Sequence, residues 1–189
     1  PSLAIQEFET ALKKAPDSNN LLAELIDLEI ISGKSASARN RLQELLRKHP
    51  DHPTAHKFIA MTYMAEKSPN KAKIELELQL KKHPNDSTSY QQLAKIELLN
   101  INPKNAANYY LKGLEHLPDD QQLILGLANT YEQLQLYDGA IKLYKNILNI
   151  NPKNIIAINN LAMILISKKT DKESYALAKK LVDSLKSSN

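Results

Sequence analysis

Apolar residues return along this chain at steps of three and four, and polar turns interrupt them at regular intervals. Leu123, Ile124, Leu127, Ala128, Tyr131 and Leu134 mark one stripe, and Ala140, Ile141, Leu143, Tyr144, Ile147 and Leu148 mark the next. That spacing places each set on one face of an α-helix. The same reading predicts helices over residues 2–14, 19–32, 35–48, 53–66, 69–82, 87–100, 103–116, 121–134, 137–150, 155–167 and 171–186.

The helices come in pairs with a fixed period. Pro16, Pro50, Pro84, Pro118 and Pro152 each stand 34 residues apart. With Pro at about 5% of positions, five at one phase is roughly a one-in-a-hundred-thousand coincidence. Ala4, Ala38, Ala72, Ala106 and Ala140 keep the same step, as do Leu12, Leu46, Leu80, Leu114 and Leu148. Proline cannot continue a helix, so its column sets the turn out of each second helix. Gly33-Lys34-Ser35, Ser68-Pro69 and Asn102-Pro103 separate the two helices of a pair, with Ser68 and Asn102 expected as N-caps ahead of a first-position proline. The alanine column allows two axes to cross within about 8–10 Å, and the leucine column is expected to face the next pair. Such units bury their apolar faces only against neighbours and therefore stack. The phasing predicts a single array over 1–189: a leftover second helix at 1–18, then pairs at 19–52, 53–86, 87–120, 121–154 and 155–188. The last pair stays in phase through Ser174 and Val182, but Lys186 fills its proline slot.

These columns resemble the tetratricopeptide repeat (TPR) family over essentially the whole chain. The family's small residue in the first helix matches Ala60, Ala94, Ala128 and Ala162, with Ile26 departing. Its aromatic at the end of that helix matches Tyr63 and Tyr131, while Glu29, Glu97 and Leu165 depart. The family's tryptophan column holds Leu22, His56, Tyr90, Ile124 and Ile158 instead. The resemblance implies an all-α, right-handed superhelical solenoid whose first helices line a concave, peptide-holding groove. More narrowly, Asn159-Asn160-Leu161-Ala162 ahead of a degraded last pair is similar to repeat lipoproteins of bacterial exopolysaccharide and PEP-CTERM-type protein-sorting systems.

Composition changes this picture little. A hydrophobic fraction of 42% and a charged fraction of 24% are those of a folded, soluble chain. Without cysteine there is no disulfide, thiolate nucleophile or cysteine-ligated zinc. No apolar run approaches the roughly 20 residues that span a bilayer, so no direct membrane span is expected. The net charge of +4 comes largely from basic pairs at helix ends, Lys13-Lys14, Arg47-Lys48 and Lys81-Lys82. There cations offset the helix dipole, and no nucleic-acid partner is expected. His49, His52 and His56 cluster in sequence without the carboxylates a metal site needs. Four glycines leave no phosphate-cradling loop, and no nucleophile elbow or metalloprotease motif occurs. The reading is a non-enzyme with no catalytic residues, no cofactor and no metal.

What remains is binding. The phasing points Phe58, Met61, Lys95, Asn129 and Asn160 into the groove, on one wall. Phe58 and Met61 would supply apolar pockets, Met being adaptable. In family members that clamp a peptide, asparagines at the slots of Asn129 and Asn160 hold its backbone or terminal carboxylate; the lysine that completes the clamp in chaperone-binding members is here Leu125. The expected function is a protein- or peptide-binding scaffold, a piece of a larger bacterial protein in an envelope or secretion-type assembly. The alternative is a regulatory or localisation module of an enzyme whose catalytic domain lies elsewhere. Self-association through the ends of the array is a third expectation, and periplasm, envelope and cytoplasm all stay open as its location.

Overall fold

The computed structural model describes residues 2–169 and 171–186; Pro1, Thr170 and residues 187–189, among them the last two positions of the expected fifth pair, lie outside the described residues. The described residues form α1 (Ser2–Lys14), α2 (Asn19–Ile31), α3 (Ser35–Lys48), α4 (Ala55–Ala65), α5 (Pro69–Lys82), α6 (Ser87–Leu99), α7 (Pro103–His116), α8 (Gln121–Gln133), α9 (Tyr137–Ile150), α10 (Ile155–Lys168) and α11 (Lys172–Lys186), and no strand. The fold class is all-α, built from 34-residue helix hairpins, and successive helices pack on one another from α1 to α5 and from α7 to α11. Two compact units are distinguished, residues 1–89 and 90–189.

Proline acts through the residue before it, which its ring bars from the helical region. His49, His83, Leu117 and Asn151 each precede a column proline and sit near φ −130°, ψ 69° to 90°. The chain then turns and re-enters a helix three residues after the proline at α6, α8 and α10. Ser18, Asp120 and Asn154 cap that entry by accepting backbone N–H groups at 2.9–3.3 Å. His52 fills the same slot before α4 and reaches only the Thr54 N–H, through Nδ1 at 3.4 Å. So α4 begins at Ala55 rather than at the expected residue 53.

The turn inside each pair is built differently from expectation. Ser68 and Asn102 precede α5 and α7, but neither side chain caps the helix. Asn102 instead donates to Glu97 Oε2 at 3.2 Å. The turn is closed by the backbone: Lys34, Ser68, Asn102 and Leu136 N–H groups reach the carbonyls of Glu29, Tyr63, Glu97 and Tyr131 at 2.7–2.9 Å. This is the six-to-one closure of a Schellman motif. It requires a left-handed residue just before, and Gly33, Lys67, Ile101 and Gln135 take φ of 55° to 72°, again 34 residues apart. A side chain there costs about 1–2 kcal/mol relative to glycine. Ile101, β-branched and 90% exposed, bears that strain without burying anything.

Ala38, Ala72, Ala106 and Ala140 are fully buried, as a close helix crossing demands. The leucine column is only half-buried, at the margin of the core. One turn earlier, Leu42, Leu76, Tyr110 and Tyr144 form the deeply buried column. Each such side chain withdrawn from water contributes about 1.5–3 kcal/mol.

Candidate functional site

The sequence-predicted residues divide between the units: Phe58 and Met61 in residues 1–89, and Lys95, Asn129 and Asn160 in residues 90–189. Phe58 does not line a groove. It is 8% exposed and belongs to the core cluster of Leu22, Ile26, Ala38, Leu42, Ala55 and Ile59. The reason is a size match at a spacing of sixteen. Where α3 offers Leu42 to the core, Phe58 fills the remaining space; where α7 offers Tyr110, the matching slot is Gly126, whose Cβ would fall 2.3 Å from the ring. Met61 is half-buried against the same cluster, and Met64 on the next turn is partly exposed. Lys95 projects from α6 into solvent.

Asn129 and Asn160 are brought together. Asn160 Nδ2 donates to Asn129 Oδ1 at 3.2 Å and to Tyr144 Oη at 3.0 Å. The Tyr144 hydroxyl lies 2.5 Å from Asn129 Oδ1 and closer still to Glu132 Oε1. Three helices supply the set: α8 gives Asn129 and Glu132, one turn apart; α9 gives Tyr144 from its buried column; α10 gives Asn160, sixteen residues after the tyrosine. Tyr144 is fully buried except through this contact. Burial, and after it the bond to Glu132, raises the phenol's pKa well above its ordinary value, against the opposing donation from Asn160. The hydroxyl therefore stays protonated, and its oxygen accepts from Asn160 beside the Asn129 amide. With both of its N–H groups used, Asn160 keeps Oδ1 as an acceptor without a partner among the described residues, while Asn129, whose Oδ1 is occupied, keeps Nδ2 as a donor without one.

Around this pair the two helices present one continuous face. Gln122, Leu125, Asn129 and Glu132 follow each other at helical steps on α8, and Ile156, Asn160 and Met163 do so on α10. Ile156 and Met163 are 53% and 68% exposed. Tyr144 was not among the residues singled out from sequence. Its signal is the buried aromatic column crossed with an asparagine sixteen positions on, a pairing visible only once Tyr110–Gly126 shows that those columns touch.

The histidines do other things. His56 is held by Glu75 at 2.7 Å. His49 and His52 line an open cleft of about 870 Å³ with Glu9, Leu12, Arg41 and Leu45, a feature the sequence reading did not anticipate. Among the described residues no three potential ligands come within reach of a common metal ion, and no helix is long and apolar enough to cross a membrane.

Comparison with known proteins places the chain. The family model described as tetratricopeptide repeat matches residues 1–60, 29–96 and 100–164. A TPR repeat-containing protein of Methanocaldococcus jannaschii is 40% identical over 75 residues, 37% of this chain and 23% of that protein. Tetratricopeptide repeat protein 8 of Caenorhabditis elegans is 39% identical over 56 residues, 30% of this chain and 11% of that protein. The chain thus spans less than a quarter of either curated relative. Among solved structures, MamA aligns with a TM-score of 0.68 at 18% identity, covering 87% of this chain and 96% of that one. YrrB, a TPR protein with an unusual peptide-binding site, aligns at 0.63 and 15% identity, covering 93% and 91%. A tetratricopeptide repeat protein of Parabacteroides merdae aligns at 0.66 and 21% identity, covering 97% and 67%. With family matches running from residue 1 to residue 164 and repeat hairpins seen throughout the described residues, this chain belongs to the tetratricopeptide repeat family.

Proposed function

We propose that this chain is a non-catalytic, peptide-binding scaffold, and that its site is the face shared by α8 and α10 around Asn129 and Asn160. One observation supports the reading: the bonds around the buried Tyr144 use Asn129 Oδ1 and Asn160 Nδ2, leaving one donor, Asn129 Nδ2, and one acceptor, Asn160 Oδ1, without partners among the described residues. A peptide group offers a carbonyl and an N–H in complementary fashion, so an extended backbone saturates both. Leu125, Ile156 and Met163 flank the pair as apolar seats for side chains. The reading is supported from outside by YrrB, of the same fold and itself a peptide binder. Phe58 has no part in it, and Met61 and Lys95 are contributors only as far as binding extends beyond these two helices.

The test is a peptide array probed with the intact chain, followed by titration of the peptides that bind. Replacing Asn129 and Asn160 together by Ala is expected to weaken binding by about 1–3 kcal/mol, the worth of hydrogen bonds desolvated in a complex. Circular dichroism is expected to stay helical, because Tyr144 keeps Glu132 as a partner. An affinity indifferent to both asparagines, at unchanged helicity, moves the site elsewhere.

A further inference from the structure

The hydrogen bonds around Tyr144 do not balance. A phenol has one hydrogen to give, yet its oxygen lies in bonding range of two acceptors, Asn129 Oδ1 and Glu132 Oε1. A charged acceptor makes the stronger bond, so the hydrogen belongs with the carboxylate. Asn160 then serves Asn129 Oδ1 with one of its two hydrogens and the tyrosine oxygen with the other. The hydrogens of Tyr144 and Asn160 are then placed, and Glu132 Oε2 is left without a donor among the described residues.

The charge around it is as one-sided. α8 and α10 carry two charged side chains between them, Glu132 and Lys168. The lysine lies over the Tyr137 ring, 5.2 Å from its centroid, at the far end of α10. Among the described residues no cation comes within ion-pair distance of Glu132. It is half-buried, beside the exposed Asn129 and the half-buried Asn160, with one carboxylate oxygen still open. An anion seated on this face would meet Glu132 at short range with no lysine to offset it, since the slot one turn before Asn129 is Leu125.

We infer that the α8–α10 face selects a basic peptide segment: an extended backbone on Asn129 and Asn160, with a lysine or arginine side chain on Glu132 and an apolar neighbour against Ile156 and Met163. Arginine fits best, because its fork supplies the missing donor and reaches a carboxylate with two parallel bonds. The face rejects a free carboxyl terminus or an acidic stretch. This inference rests on the peptide reading above and adds the sign of the partner's charge.

The probes are fluorescein-labelled nonapeptides, blocked at both ends, of one apolar frame with Arg, Lys, Gln or Glu at the centre, and a fifth ending in a free carboxylate. Fluorescence anisotropy with the intact chain is expected to rank Arg and Lys about tenfold or more above Glu, the worth of a charge-assisted bond. Glu132→Gln is expected to erase that ranking, bringing the Arg, Lys and Glu peptides to within about twofold of one another. Leu125→Lys is expected to move the preference toward the Glu peptide and the free carboxylate. Raising salt from about 50 to about 500 mM is expected to weaken only the cationic peptides, a readout that needs no variant. Equal affinity for Arg and Glu peptides, or a preference for Arg that survives Glu132→Gln, overturns the charge assignment and leaves the backbone reading standing. No binding by any of the five overturns both.

Discussion

The two compact units solve the same packing problem with different chemistry. In residues 1–89 one acid is carried into the interior, and charged groups pair with it and along the margin of the core. Glu29 occupies the family's aromatic slot and is 1% exposed. Arg41 reaches it at 3.2 Å and reaches Glu9 from the same nitrogen at 2.5 Å. Burial works against the guanidinium's charge, but the bonds to Glu29 and Glu9 outweigh it and raise its pKa above the ordinary value. Arg39 joins Glu66 at 2.8 Å and lies over the Tyr63 ring, and Lys57 meets Asp86 at 3.2 Å. In residues 90–189 the corresponding work is done by tyrosines against glycines: Tyr110 on Gly126, Tyr131 on Gly139, and Tyr90 with Leu123 on Gly113. Where this unit does bury an acid, Glu97, the amide side chains of Asn102 and Asn105 bond it. The lesson is that the repeat's backbone requires filled volume at these slots and is indifferent to whether ions or rings fill it. The consequence is different fragility. An ion-paired interior fails when one partner is removed; a ring-on-glycine interior fails when one methyl is added.

The strongest blow to this contrast is Arg41→Met. It strands the Glu29 carboxylate in the core, and a loss of about 3 kcal/mol is expected in urea denaturation. Hydrogen exchange should localise the loss to α2 and α3. Glu29→Leu added to it should recover most of the stability, since a buried pair exchanged for apolar groups is close to neutral. A single variant as stable as the parent would show that the pair is ornamental.

Next in size is Gly126→Ala in the other unit. Alanine favours a helix by about 1 kcal/mol over glycine, yet its methyl would meet the Tyr110 ring, so a net loss of about 1–3 kcal/mol is expected from overpacking. Tyr110→Leu in the same chain should restore it, because Leu42 opposite Phe58 shows that a smaller second-helix side chain leaves room. A stabilising Gly126→Ala would mean the ring does not lie where it is described.

The smallest effect concerns His52, where a histidine stands in a helix-cap slot. Asn in its place should lengthen α4 toward residue 53 and stabilise the chain by about 1 kcal/mol. Burial, followed by the nearby His49, lowers the His52 pKa below its ordinary 6.5; Asp17 pulls the other way, and His83 adds to the lowering. The folded chain therefore binds fewer protons than the unfolded chain near pH 6.5. Stability rises with pH through that window and is lost as pH falls toward the folded pKa. Thermal unfolding as a function of pH should show this slope in the parent and a flatter one in His52→Asn. An unchanged profile would assign the acid sensitivity to another group.

How legible this was in the sequence follows from which signals survive one-dimensional reading. The helices were legible because proline leaves a mark at every period and acts on its own neighbour, as at His49 and Leu117. The buried alanines were legible for the same reason: only a methyl fits a close crossing. Phe58 was not, because exposure at its slot depends on the residue sixteen positions earlier, and Leu42 leaves a space that Tyr110 does not. The cap slots of Ser68 and Asn102 were placed correctly, but their capping role was not, because the six-to-one backbone bond had already closed the turn. The asparagine pair was anticipated through the family's pattern. The tyrosine and glutamate that orient it were not, since one reads as core and the other as a surface charge.

The left-handed column at residues 33, 67, 101 and 135 has a consequence for how such chains diverge. Glycine, lysine, isoleucine and glutamine all occupy the same joint, and the joint is held by main-chain bonds that any residue but proline can supply. Inheritance at this position is thus of a conformation rather than of a residue. Alignments that weigh side-chain identity will find nothing there to align, although it is where these four hairpins acquire their bend. A repeat could be copied, exchanged or allowed to drift at that joint without altering the angle at which its second helix departs.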